Sequence, residues 1–180
     1  MTGFDAELER ALAELAARRL AAYRAGDATG ILMADHDWLR PALSELRRRA
    51  RDGADASVLQ RLAGAIWEVV DGHSRVEEEV YFPAVDRLLA EAGRPNPMVM
   101  AMAAEHDALP DRHRRLVEAL AAGRDPLPAI DAFSRALLIH FDNEEDLVFE
   151  DAREALQGEE GRRLAQAMAA FLGIGEQEGG

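Results

Sequence analysis

Apolar residues recur along this chain at three- and four-residue intervals, and no stretch shows the period of two that a half-buried strand requires. Gly, Pro, Asp and Asn positions divide the pattern into six helical segments. The first spans about Phe4 to Ala25, with Thr2 or Asp5 as its cap, Leu8, Leu12 and Leu15 on one stripe, and Gly26 as its stop. The second starts near Thr29 and stops around Gly53. The third starts at Asp55 or Ser57 and reaches Gly93. The fourth opens at Asn96-Pro97, a cap followed by proline at the first helical position, and ends at Gly123. The fifth opens at Asp125-Pro126 and ends before Gly158. A short sixth segment, about Glu160 to Leu172, sets Leu164, Met168 and Phe171 at helical spacing, and the Gly- and Glu-rich tail from Gly173 to Gly180 is expected to fray.

Short loops between the four middle segments require antiparallel neighbours. The expected fold is all-α: an up-down-up-down four-helix bundle, with an extra N-terminal helix and a short C-terminal helix packed outside it. The divisions are 1–28 for the accessory helix, 29–156 for the bundle, and 157–180 for the short helix and tail. Pro41, Pro83 and Pro110 fall within helical segments, and each is expected to kink its helix by removing one backbone hydrogen bond.

The bundle repeats itself. Asp35-His36-Asp37-Trp38-Leu39 is echoed by Glu105-His106-Asp107-Ala108-Leu109, and the run from His73 to Glu79 by the run from His140 to Asp146, with Phe82 and Phe149 following. Two related hairpins thus each contribute one lone histidine and one His-x-x-x-Glu pair.

Residues four apart on a helix share a face. His73 with Glu77, and His140 with Glu144, therefore each present an imidazole and a carboxylate to one point. Val69, Val70, Val76 and Val80 flank the first pair, and Ala136, Leu137 and Leu147 the second, so both faces are expected to point inward. His36 lies on the stripe of Leu32, Met33, Leu39 and Leu43, and His106 on that of Val99, Met102, Leu109 and Val117. A single His-x-x-x-Glu is commonly no more than a surface ion pair, and a lone inward histidine is commonly a satisfied core residue. One histidine on each of four helices, two of them with Glu at the same offset, is a joint pattern that points to metal. Two carboxylates in an apolar core need a compensating cation, and a dinuclear centre provides it. Imidazole with carboxylate suits iron or manganese.

Composition narrows the field. The chain has 180 residues, enough for one domain with a real core, and no cysteine, which excludes disulfides, thiolate metal sites and iron–sulfur clusters. A net charge of −13 makes nucleic acid and anionic membranes poor partners. The basic runs at Arg47, Arg48, Arg49 and Arg51, and at Arg112, Arg114 and Arg115, read as solvated helix faces near helix C-termini. No stretch approaches a membrane span, and the N-terminus lacks the features of a signal peptide, so a cytoplasmic location is expected.

The series His36, His73-x-x-x-Glu77, His106, His140-x-x-x-Glu144, together with the Glu doublets and Val80-Tyr81-Phe82-Pro83, resembles the hemerythrin-like, or HHE cation-binding, family over about residues 29 to 156. The resemblance implies His36 and His73 on one iron and His106 and His140 on the other, with Glu77 and Glu144 bridging and an oxo or hydroxo group between the metals. Oxygen-carrying hemerythrins have a fifth histidine one turn after the third ligand; here that position is Pro110, which cannot ligate. An open position on each iron argues against simple reversible oxygen carriage. It brings the chain closer to four-histidine bacterial relatives associated with oxygen, peroxide, nitric oxide or iron handling.

The expected function is therefore a di-iron protein that binds or reduces a small oxidant; whether it turns over is open, and manganese or a mixed pair remains an alternative metal. The rival is iron storage, or iron or oxygen sensing, without turnover, and a metal-free interaction bundle ranks last. No redox partner can be read from the residues. Tyr81, four residues after Glu77, is expected one turn below the bridge, near Met33, Met102 and Val148. There its hydroxyl would serve a metal-bound oxygen species or Glu77, or else bond a backbone carbonyl. His113 lies about 10 Å along the axis from His106, too far to ligate. Trp38 and Trp67 read as packing residues, and the acids Glu78, Glu79, Glu145 and Asp146 as solvated groups that could draw cations toward the core.

Overall fold

The computed structural model describes residues 3–175, so Thr2 and the last five residues of the tail lie outside the described residues. The chain runs through α1 (Gly3–Ala25), α2 (Ala28–Arg51), α3 (Ala56–Val76), a turn of π-helix (Glu77–Tyr81), α4 (Phe82–Glu91), α5 (Met98–His106), α6 (Leu109–Ala121), α7 (Leu127–Glu144), a second π turn (Glu145–Phe149), α8 (Glu150–Ala152) and α9 (Glu159–Leu172). There is no strand among the described residues.

Local chemistry sets the boundaries. Asp27 caps α2 by accepting a hydrogen bond from the Gly30 N–H at 2.8 Å. Asn96 accepts from the Met98 N–H at 2.9 Å, and Asp125 from the Leu127 N–H at 3.1 Å. Gly53 and Gly123 end α2 and α6 at φ +74° and +61°, a left-handed conformation that costs any residue carrying a Cβ. The two short turns they make send the chain back antiparallel.

Four columns result: α2; α3 continued by α4; α5 continued by α6; and α7 continued by α8. α2 packs on α3 and α7, and α6 packs on the same two, which closes the up-down-up-down square. α1 and α9 pack against α2 and each other on the outside. Two apolar cores fill the bundle end to end. One is built on Leu39, Leu43, Leu46, Leu62, Ile66, Leu116 and Phe133. The other is built on Ile31, Leu32, Val76, Tyr81, Met102, Val148 and Met168. The polar groups described below sit where these two cores meet.

Several expectations need correction. The fourth segment is not continuous: it breaks at Asp107–Ala108, and Pro110 falls in the first turn of α6, where its missing N–H costs nothing. The break re-phases everything after it, which leaves Val117 43 % exposed instead of on the His106 stripe. It also places Arg112, Arg114 and Arg115 in the first half of α6, where Arg114 and Arg115 pair with Asp111. Leu147 is likewise turned outward, 40 % exposed, because the π turn adds a residue to its helical turn. α2, by contrast, passes through Pro41 without interruption.

Candidate metal centre

His36 on α2, His73 on α3, His106 on α5 and His140 on α7 all point into the bundle, with exposures of 0, 1, 5 and 2 %. Glu77 and Glu144 are completely buried beside them. The Nε2 atoms form two pairs: His36 and His73 approach to 3.3 Å, and His106 and His140 to 2.9 Å. Two nitrogens about 2.1 Å from one ion at roughly a right angle lie about 3 Å apart, so each pair has the spacing of a shared cation.

The glutamates connect the pairs. Glu144 Oε2 lies 3.4 Å from His36 Nε2 and 3.8 Å from His73 Nε2, while its Oε1 lies 3.3 Å from His140 Nε2. Glu77 Oε2 lies 3.2 Å from His73 Nε2 and 3.4 Å from His106 Nε2. Ligand atoms of His73, Glu77, His140 and Glu144 all fall within 4.8 Å of one another.

None of the four carboxylate oxygens of Glu77 and Glu144 accepts a well-aligned hydrogen bond, although all are buried. Orphaned buried carboxylates are costly. Proximity to imidazole without alignment is what a cation lying between the groups would leave. The residues therefore fit a metal pair. Burial works to raise the Glu77 pKa, but His73 and His106 outweigh it and hold it down to about 2. Burial works against the charged form of His73 too, yet Glu77 and Asp35 drive its pKa up. His140, penalised by burial and by the other three imidazoles, is pushed down to about 4.

Each imidazole is oriented from behind by an acid. Asp35 Oδ2 meets His73 Nδ1 at 3.2 Å, and Glu105 Oε2 meets His140 Nδ1 at 3.1 Å. Glu145 Oε1 meets His36 Nδ1 at 2.8 Å, and Glu78 Oε1 meets His106 Nδ1 at 2.7 Å. A carboxylate that accepts from Nδ1–H leaves the Nε2 lone pair free to ligate. Sequence reasoning missed this ring of acids; the available signal was an acid immediately before each lone histidine and immediately after each paired glutamate.

Tyr81 is fully buried in the first π turn, in the same apolar core as Met102 and Val148. Its hydroxyl lies 3.0 Å from Thr29 Oγ1, a partner that is neither a carboxylate nor a backbone carbonyl. His113 stands apart from the centre, stacked on Trp67 with ring centroids 4.4 Å apart.

A four-helix bundle with a buried histidine–carboxylate cluster at its middle is a metal-binding helical bundle. A profile of the family described as "Hemerythrin HHE cation binding domain" matches residues 27–152, and the chain belongs to that family. No curated protein and no solved structure matches the chain. Among the described residues, no helix is long and apolar enough to cross a membrane.

Proposed function

We propose that the chain holds two iron ions, one on His36 and His73 and one on His106 and His140, with Glu77 and Glu144 reaching both. The function we propose is binding or reduction of a small oxidant: dioxygen, peroxide or nitric oxide. The observation that carries it is the four unpartnered oxygens of Glu77 and Glu144, buried between two close pairs of Nε2 atoms. An iron pair supplies Lewis acidity and one-electron chemistry when bound.

The chain's own residues prepare the place. Asp35, Glu78, Glu105 and Glu145 keep a proton on each Nδ1 and aim each Nε2 inward. Phe141 stacks on His36 with centroids 4.2 Å apart, and Phe82 on His106 at 6.1 Å, which gives each of these two imidazoles an apolar flank. Pro110, where a fifth histidine would stand, offers no ligand atom, so each metal retains room for a small molecule. Tyr81 supplies the nearby phenol, whose pKa is pushed up by burial, so that it remains a neutral donor.

The test is iron stoichiometry after anaerobic Fe(II) loading and desalting, with the wild type beside a His73→Ala/His140→Ala variant. Two ions per wild-type chain and fewer in the variant are expected. No iron in either would end the proposal. Chelation should also lower the melting temperature, since ions held at a free concentration about 100 times Kd contribute roughly 3 kcal/mol.

Burial of all six groups favours a second reading, storage or sensing of iron without turnover. Repeated consumption of peroxide or oxygen by the diferrous protein supports the first reading; a single equivalent per chain supports the second.

A further inference from the structure

The four acids behind the imidazoles are not alike. In the His36/His73 half both are matched by arginine. Arg19 Nε donates to Asp35 Oδ1 at 2.5 Å, and Arg40 Nη2 donates to Glu145 Oε1 at 2.9 Å. In the His106/His140 half neither acid has an arginine among the described residues. Glu78 meets His106, and Glu105 meets His140 and the neutral amide of Asn143 at 3.3 Å.

Each half has two Nε2 atoms, and both glutamates approach both halves, Glu144 meeting His36, His73 and His140, and Glu77 meeting His73 and His106. The outer acids are therefore offset by arginine around one pair of histidines, although Arg40 is shared with Asp142 at 2.9 Å, and, among the described residues, are not offset by any around the other. Screening does not erase the difference, because the Asp35 side chain is fully buried and the Arg19 side chain only 17 % exposed. Access differs as well. His106 itself lines a cavity of about 260 Å³, with Asp71, Arg75, Glu78, Asp107 and Pro110, at the break between α5 and α6. On the other side Glu145 lines a larger cavity of about 540 Å³ with Asp27, Glu150 and Arg153, but no imidazole lines it. The acids around His106 outnumber Arg75, and an opening of net negative charge raises the local concentration of cations.

We propose that the two metal positions are unequal: the pair His106/His140 takes the first ion and holds it more tightly, and Arg19 and Arg40 weaken the pair His36/His73. An arginine here acts through the acid it neutralises, which then polarises its imidazole less and makes Nε2 a poorer donor. This inference rests on the two-metal reading above. It is not tied to iron, and any divalent ion that takes imidazole and carboxylate ligands reports it.

The experiment is a Co(II) titration of the metal-free full chain, followed by visible absorption and calorimetry. Two ions should bind in two steps roughly ten-fold or more apart, the lower end of what an outer acid does to metal affinity. Arg40→Gln, which removes charge but keeps a hydrogen-bonding group on a part-exposed side chain, should tighten the second step and leave the first unchanged. Arg40→Lys should restore wild-type behaviour. Glu105→Gln should weaken the first step, His106→Ala should abolish the tight step and His36→Ala the weak one. Two ions binding in a single unresolved step, or loss of the tight step in His36→Ala, would overturn the inequality and leave the two-metal reading standing. Fewer than two ions in the wild type would overturn both.

Discussion

Arg19, on the helix outside the bundle, reaches the fully buried carboxylate of Asp35 at 2.5 Å, and the same carboxylate orients His73. A helix that precedes the family-matched region is thereby tied to the metal centre.

Asp35→Asn should be among the most damaging single changes to the metal-free protein. It leaves the Arg19 guanidinium, whose Nη2 already has no partner, as an uncompensated charge. Breaking such a pair costs about 3 to 5 kcal/mol. Urea unfolding should show that loss, and adding Arg19→Met should restore a large part of it. A loss below about 1 kcal/mol would mean that water already solvates Arg19.

Tyr81 and Thr29 should be energetically coupled. Their hydroxyls lie 3.0 Å apart in a setting where Tyr81 has no exposure, so a double-mutant cycle with Tyr81→Phe and Thr29→Val should give about 1 kcal/mol. Tyr81→Phe should keep the iron stoichiometry and slow oxidant consumption. Unchanged kinetics would confine the phenol to packing.

His113 offers an optical test at a distance from the centre. Burial lowers its pKa below the usual histidine value. The unfolded chain then takes up that proton more readily, so this group's contribution to stability is present above about pH 6.5 and is lost as pH falls from there through the lowered value of the folded state. Because its ring lies nearly parallel to Trp67, at 3°, protonation should quench tryptophan emission with a midpoint below 6.5. His113→Gln should remove that transition. A midpoint above 6.5 would refute the assignment.

Gly161 has the closest backbone neighbour of the described glycines. A Cβ there would stand 2.0 Å from the carbonyl oxygen of Leu156, which cannot rotate away. Gly161→Ala should cost about 1 to 3 kcal/mol by thermal melting while leaving metal stoichiometry intact. A neutral result would show that the 153–157 turn relaxes freely.

Much of this was legible in the residues, for reasons that differ by position. Gly53, Gly123, Asn96 and Asp125 announce helix ends because their chemistry is local. His73 with Glu77 and His140 with Glu144 were legible because a four-residue offset on a helix fixes a common direction, and His36 and His106 because each lies on an apolar stripe and the two repeat one another. The π turns were not found. An i→i+5 turn inserts one residue without changing composition. Pro83, which cannot donate to the Glu79 carbonyl, hints at the first, but nothing equivalent marks the second, where Glu150 follows Phe149 as Pro83 follows Phe82. The exposure of Leu147 and Val117 was misjudged for that reason and for the break at Asp107–Ala108, since each shift rotates the residues after it. The role of the outer acids was missed for another reason: Glu145 reaches His36 across 109 residues of chain, a pairing that only the assembled bundle creates.

The crossed pairing of Glu78 with His106 and of Glu145 with His36 makes the two hairpins interdependent. Each hairpin, with its pattern Asp/Glu-His then His-x-x-x-Glu-Glu, orients the histidine of its own His-x-x-x-Glu pair. Its lone histidine borrows an acid from the other hairpin. Either hairpin by itself would hold one imidazole in place and leave the other unaimed, so the centre is a property of the closed bundle and of neither half.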